Sequence, residues 1–385
     1  MPSYIRQVQI KNYKSIGHAV VDLGRFTALV GANGAGKSNF VDSLAFVSEC
    51  LSSSIEMAFK NRGGIGAVRR RSGGHPYHIG LRLILDLGDA DADYSFEIAA
   101  KPKERFHISH ERCHVRHHLF EAGSNFEVRN GRFIREIPGL RPQVAADRLA
   151  LFAASATEEF RPVYDFLTSI RRYSIEPGRL RELQDPDVGD FLKPDGSNAA
   201  AVLKRLRDRY PDRYERICRL LAKVVFGVEK VDYKAVGQKE TLVFKQDVGL
   251  KDAWQFDALN MSDGTLRVLG LLLAAYQTEP ASVVAIEEPE ATVHPAASEL
   301  LIEVLLDASH ERQILVTTHS PDILDSKELL DDQIRVVTKR RGQTLIAPVA
   351  EASRQAIREH LYTPGELLRS DELEPELASL GSSSP

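Results

Sequence analysis

Eleven residues, VGANGAGKSNF at positions 30–40, hold a spacing that suits phosphate chemistry. Gly31, Gly34, Gly36, Lys37 and Ser38 satisfy GxxxxGK[ST]. Glycines let backbone N–H groups close on phosphate oxygens, and a helix starting at Lys37 would add its positive end. Lys37 would then reach the outer phosphates and the Ser38 hydroxyl a Mg²⁺ ion. A second group, VVAIEEPE at 283–290, is an apolar run ending in adjacent carboxylates. At the carboxyl end of a buried strand, Glu287 is placed to hold the metal and Glu288 to polarise an attacking water.

Two further stretches extend the pattern. VTTHS at 316–320 ends another apolar run in His319, a donor able to sense a γ-phosphate. NMSDGTLR at 260–267 precedes an apolar helical run, so Ser262 and the Gly264 amide form either a second anion site or an ordinary helix cap. If that site serves a nucleotide held by another copy, dimerisation completes the active site.

These residues need elements to carry them. The first thirty residues alternate in the manner of short strands, the last of which feeds the glycine loop, and helical spacing follows from Lys37 to Leu51. Residues 78–99 and 106–134 read as antiparallel strands, with turns at GDADAD and Asn130-Gly131. From 145 the period becomes helical, through an amphipathic, basic stretch at 198–226. Beyond Trp254, helix and buried strand alternate: helix 264–276, strand 282–286, helix 296–306, strand 313–317, then closing strands near 333–338 and 344–349. Continuous apolar strands between helices imply an α/β fold with a mostly parallel core sheet. The expected partition is a core of 1–50 and 255–350, a β lobe near 75–135, a helical lobe near 145–250, and a partly disordered extension over 351–385.

The 385-residue chain is 43% hydrophobic and 27% charged, with net charge −4, and has no apolar run of membrane-spanning length. Its N-terminus lacks a signal-peptide pattern, and Cys50, Cys113 and Cys218 stand apart, which argues against disulfide or zinc frameworks and for a cytoplasmic protein. The overall charge does not announce a nucleic-acid binder. Local basic runs remain, at Lys60, Arg62, Arg69, Arg70 and Arg71 and across 101–118, as either solvated charge or phosphate-contacting surface.

The ordered set GANGAGKS, MSDGTLR, AIEEPE and TTHS resembles the ABC-type ATPases of the RecF/SMC-like branch, and most of all the RecF-like predicted ATPases. IRQVQIKNYKSI, PDGSNAAAVLKRL, EPEATVHP and TTHSPDIL share that resemblance, which runs through most of residues 1–350. It implies a P-loop NTPase head with a β lobe and a helical lobe, dimerising around two ATP molecules with Mg²⁺. Carried over by position, residues 31–38 would be Walker A, with Asn33, Gly34, Ala35, Gly36, Lys37, Ser38 and Asn39 on the nucleotide. Ser262 to Arg267 would be the signature, Glu287 the metal-binding carboxylate with Ser38, and Glu288 the catalytic one. Residues 291–294 would be the D-loop, His319 the switch histidine, Lys14 a basic position near the nucleotide, and Gln143 a candidate Q-loop glutamine. Glu287 stands where the wider ABC pattern has Asp, which implies a longer or water-mediated metal contact, and Asp263 replaces the glycine of transporter heads.

Neither a long heptad run nor a CxxC hook is present, so no SMC arm is expected. OLD-family nucleases resemble this head but add a large nuclease domain; the residues after His319 are too few for one, so any cutting is expected from a partner chain. Two roles follow from the resemblance: an ATP-gated clamp on double-stranded DNA in repair or maintenance, or a regulatory ATPase of a phage-defence system that controls a separate effector or nuclease. A third, energising a membrane transporter, is opposed by the SDG signature and KNYKSI, and no membrane partner is expected.

Overall fold

The computed structural model describes residues 2–70, 78–101, 105–118, 123–135, 147–249, 254–277 and 281–376. The chain forms two compact units: Met1–Ile170 with Asp332–Gln355 and Leu373–Pro385, and Arg171–Asp331 with Ala356–Glu372.

The first unit contains a seven-stranded antiparallel sheet in the order Ile16–Asp22, Tyr4–Tyr13, His78–Asp86, Ala90–Ala100, Phe106–His117, Ser124–Arg129, Arg132–Arg135. The N-terminal hairpin is therefore laid against the β lobe, with Tyr4–Tyr13 paired to His78–Asp86. Alternation sorts its faces. On Ala90–Ala100, Tyr94, Phe96 and Ile98 are buried, whereas Asp91, Asp93 and Glu97 lie on the other face. There basic residues of the sheet pair with carboxylates on the same face. Arg82 and Arg112 reach Asp93 at 2.7 and 2.9 Å, Arg6 and Arg116 share Asp91, and His110 and Arg129 share Glu127 at 2.9 and 2.8 Å. The turn after Arg129 works through left-handed Asn130 (φ 46°) and Gly131 (φ 77°), as its dipeptide predicts.

Three more strands of this unit run in the order Gln343–Pro348, Ile334–Arg340, Phe26–Val30. Ile334–Arg340 is antiparallel to the first and parallel to Phe26–Val30, pairing Val336 with Val30. All five residues of Phe26–Val30 are buried, and the strand sets the glycine loop at its carboxyl end. The helix Lys37–Ser52 follows and buries Phe40, Leu44, Phe46 and Leu51. Its Phe46 packs at a tilt against Tyr13 and Phe59, 5.5 and 5.2 Å between centroids.

In the second unit Val283–Glu287 and Gln313–Thr318 pair in parallel, register Glu287 to Thr317. The helices Asp263–Tyr276 and Pro295–Ala308 accompany them. Every residue from Thr265 to Tyr276 is buried, the pattern of a helix inside an α/β layer. The stretch read as a helical lobe differs in part. It holds Arg161–Thr168, Ala199–Arg209 and Pro211–Val224, but also a strand, Ile170–Tyr173, and a sheet of Val228–Val236, Lys239–Gln246 and Trp254–Asp257. Period-two alternation on either side of the Gly237 turn (φ 61°) explains that hairpin. Within 351–376 the chain forms two helices, Glu351–Arg358 and Pro364–Arg369, the second opened by a Thr363–Glu366 capping box; residues 377–385 lie outside the described residues. Among the described residues no helix is long and apolar enough to cross a membrane.

Candidate functional site

The glycine loop turns through Gly34 (φ 80°) and Gly36 (φ 114°), both in backbone regions that suit glycine alone. Space is equally restrictive. A Cβ on Gly31 would fall on the Val337 carbonyl, and one on Gly36 would strike the Thr344 side chain. Gly36 caps the helix with no side-chain hydrogen bond, and no acidic residue occupies the first turn, so the helix start is left to an anion. Lys37 is 5% exposed, and its Nζ donates to the loop carbonyls of Gly31 (2.6 Å) and Ala32 (3.1 Å). That folds the cation into the centre of the cradle. Asn33, Gly34 and Ser38 are exposed on the loop, with Ala35 buried beneath. The Ser38 hydroxyl is a hard oxygen donor of the kind Mg²⁺ takes.

Residues distant in sequence brace this loop. Thr344 Oγ1 donates to the Ala35 carbonyl (2.7 Å) and pairs with Ser15 Oγ (2.7 Å), which in turn accepts from Asn39 Nδ2 (2.7 Å). In KNYKS, then, Ser15 is the residue tied to the loop. Its neighbour Lys14 bonds instead to Asp42 on the helix, at 2.5 Å. Asp42 also accepts from Tyr13 Oη (2.7 Å) and Arg62 Nε (3.1 Å). Burial alone would push the Asp42 carboxyl up, but Arg62, with Lys14 and Tyr13, holds it below the ordinary aspartate value. Arg62, counted in the sequence with a basic loop, is 8% exposed and committed to Asp42 and Glu49; it is no phosphate-contacting surface. Arg71 and Gln143 lie outside the described residues.

In the second unit the strand Val283–Glu287 delivers its carboxylates as the spacing predicts. Glu287 is ion-paired with Arg172. Glu288 has a left-handed backbone, φ 44°, and its N–H donates to the Thr317 carbonyl at 2.9 Å. That turn brings its side chain beside His319, whose Nδ1 lies 3.4 Å from Glu288 Oε1 and 3.9 Å from Glu290 Oε1. Thr318 Oγ1 donates to Glu290 at 2.6 Å. The carboxylate of Glu288 is about two-fifths exposed, at 39%, against 9% for Glu290, so Glu288 can reach water and Glu290 is part of the frame.

Ser262 caps Asp263–Tyr276, accepting from the Thr265 N–H at 3.2 Å. Asp263 pairs with Arg181. Gly264 fits close to the turn after Glu288: a Cβ there would stand 2.8 Å from the Thr292 carbonyl oxygen. Ser262, Gly264, Thr292, His294 and Phe226 border a cavity of about 820 Å³ within this unit. The sequence reading named Glu287, Glu288 and His319 and placed Arg267 in the signature, but gave Arg267 no contact with the Glu288 turn and missed Arg172, which pairs with Glu287, and Ser15 and Thr344, which brace Asn39 and Ala35 of the glycine loop. Among the described residues, no cluster of three or more His, Cys, Asp or Glu side chains is built to hold a metal by itself, and the three cysteines are buried and free.

A family model described as "AAA domain, putative AbiEii toxin, Type IV TA system" matches residues 26–325. No curated protein matches the chain. Among solved structures, the chain is similar to an SMC head bound to the C-terminal winged-helix domain of ScpA, at 17% identity and TM-score 0.57, covering 91% of this chain and 99% of that one. It is also similar to the Pyrococcus furiosus SMC head with an extended coiled coil bound to the C-terminal domain of ScpA, at 15% identity and TM-score 0.55, covering 93% and 99%. At such identities the likeness concerns the fold, which is that of an α/β P-loop NTPase head of the ABC type.

Proposed function

The chain belongs to this AAA-domain family, and on that premise we propose that it binds MgATP on residues 33–39 and hydrolyses it as an ABC-type, RecF-like ATPase whose ATP-bound form is a homodimer. The observation that carries the reading is the Lys37 ammonium held inside a glycine cradle by the Gly31 and Ala32 carbonyls. Phosphate oxygens would replace those two neutral acceptors with charged ones, a stronger partnership. Ser38 and Glu287 would hold the metal, whose chemistry is to neutralise charge on the phosphates. Glu287 would then release Arg172, which now occupies its carboxylate.

Glu288 serves as general base. Its exposed carboxylate takes the proton of the attacking water as the water oxygen bonds to the γ-phosphorus and the bond to the ADP oxygen breaks, and His319, whose Nδ1 lies 3.4 Å from Glu288 Oε1, donates to the γ-phosphate. Ser262 and the Gly264 amide cap the γ-phosphate of the nucleotide held by the opposite copy. Ser262 would exchange its bond to Thr265 for one to phosphate, so the cap and the anion site are two uses of one hydroxyl.

For the biological task, we favour a regulatory ATPase of a defence or toxin–antitoxin system acting with a separate effector. The family description speaks of such a system, and within the 101–118 run expected to meet DNA, Arg112 and Arg116 are ion-paired to Asp93 and Asp91 on the adjacent strand. A DNA clamp in repair or maintenance is the second reading, supported by the likeness to SMC heads. The test is the ATP hydrolysis rate with and without double-stranded DNA. Turnover that is abolished in Glu288→Gln and indifferent to DNA supports the first reading, whereas a several-fold DNA stimulation supports the clamp. No ATP-dependent turnover under any condition would overturn both.

A further inference from the structure

We infer that Arg267 is a positioning residue that locks the turn carrying Glu288 onto the signature helix, so that the same helix which presents Ser262 also sets the backbone of the catalytic carboxylate. The inference rests on the reading of Glu288 as general base. Arg267 is 8% exposed, yet its guanidinium faces main-chain oxygens: Nη2 donates to Glu288 O at 2.7 Å and Glu287 O at 3.2 Å, and Nη1 to Ile175 O at 2.7 Å. A buried cation is costly and persists where its fork geometry has a task. Burial draws Arg267 below the ordinary guanidinium value, although the nearby Glu290 and Glu288 charges oppose that shift.

The acceptors explain the task. Glu288 and Thr292 have positive φ, 44° and 65°, and for a β-branched threonine this is a strained conformation. Such strain survives only where the surroundings over-determine it. Both strained residues are the ones the helix Asp263–Tyr276 engages. Arg267 takes the Glu288 carbonyl, and Gly264, one turn earlier, lies against the Thr292 carbonyl with no room for a side chain. With two points fixed, displacement of the helix start must shift the turn, and the Glu288 side chain with it. Engagement of Ser262 by a phosphate would in this way bear on the base of the same copy.

The test compares Arg267→Met, Arg267→Lys and Arg267→Ala with wild type in three measurements: nucleotide affinity, steady-state hydrolysis, and amide exchange over 286–293. A base displaced by about 1 Å costs on the order of 100-fold in rate, so kcat should fall about that far while nucleotide affinity holds. The Glu288 and Ala291 amides, bonded to the Thr317 and Glu288 carbonyls, should exchange faster, with strand Gln313–Thr318 unchanged. Lysine, a point donor, cannot span three carbonyls and should not restore the rate, whereas added guanidinium should partly restore Arg267→Ala. Unaltered exchange and kcat in Arg267→Met would overturn the inference, as would a joint loss of affinity, rate and melting temperature without guanidinium rescue. Faster exchange together with wild-type turnover in Glu288→Gln would instead leave the Arg267 anchor standing and remove the role of Glu288.

Discussion

Glu111 offers a measurable link between a buried charge and the stability of the first unit. It lies on Phe106–His117 and is fully buried. Its carboxylate accepts from the Ala150 and Leu151 N–H groups (2.5 and 2.9 Å) and from Tyr94 Oη (3.0 Å). Burial is the largest effect and raises its pKa from 4.5 to about 7, against the three donors, which favour the ionised form. The sign follows from which state holds the proton more tightly. The folded chain does, so the contribution of Glu111 to stability is full below pH 4.5, declines as pH rises towards 7, and is flat above. At about 1.4 kcal/mol per pH unit of separation, the total is about 3.5 kcal/mol, or roughly 7–14 °C in melting temperature for a unit of this size.

The perturbation is Glu111→Gln, which cannot titrate. Glutamine oxygen can still accept from Leu151 and Tyr94, but its amide would face the Ala150 donor, so the variant carries a constant penalty. The pH dependence is therefore the informative quantity. Thermal unfolding followed by circular dichroism between pH 4.5 and 8 should show the wild-type advantage over Glu111→Gln shrinking from pH 5 to 7 and levelling beyond. A difference that does not vary with pH would refute the reasoning, because it would mean that the three donors, not burial, decide the ionisation of Glu111.

Other expectations concern the cradle and its supports. Lys37→Met removes the only charge inside the loop described above and should abolish binding of a fluorescent ATP analogue, while a melting curve shows a folded chain; retained binding would count against the cradle. Gly31→Ala drives a methyl into the Val337 carbonyl and should cost about 1–3 kcal/mol by overpacking, read by urea denaturation together with weakened nucleotide binding. Asp42→Ala strands Lys14 and Arg62, and since Glu49 still pairs with Arg62 the loss should fall near the lower end of about 3–5 kcal/mol. A loss below roughly 1 kcal/mol, the scale of an exposed pair, would show that Asp42 is not the hub its bonds describe.

The glycine loop was legible because one short window contains its whole logic: a continuous apolar strand, left-handed glycines and a helix start. The same holds for Glu287, Glu288 and His319, each at the end of an apolar strand whose length and flanks announce it. What braces them was not legible. Ser15 and Thr344 meet across 329 positions, and nothing in the period of either segment points to the other. Arg62 has the composition of a surface base, and only the packing of Asp42 and Glu49 around it reverses that reading. Ile170–Tyr173 continues the helical spacing of the residues before it, so the change to strand, and with it the pairing of Arg172 to Glu287, depends on tertiary contact. The alternation of Val228–Gln246 was present in the sequence but followed a strongly amphipathic helix whose period masked it.

The central claim is that Glu288 activates water in an ATP-bound dimer, and the most direct measurement is light scattering of wild type and Glu288→Gln with MgATP, coupled to phosphate release. The account predicts that Glu288→Gln accumulates as a dimer that releases no phosphate, while the wild type turns over and returns to monomer as ATP is consumed. Phosphate release by Glu288→Gln at the wild-type rate, or a mass independent of ATP in both proteins, would contradict it.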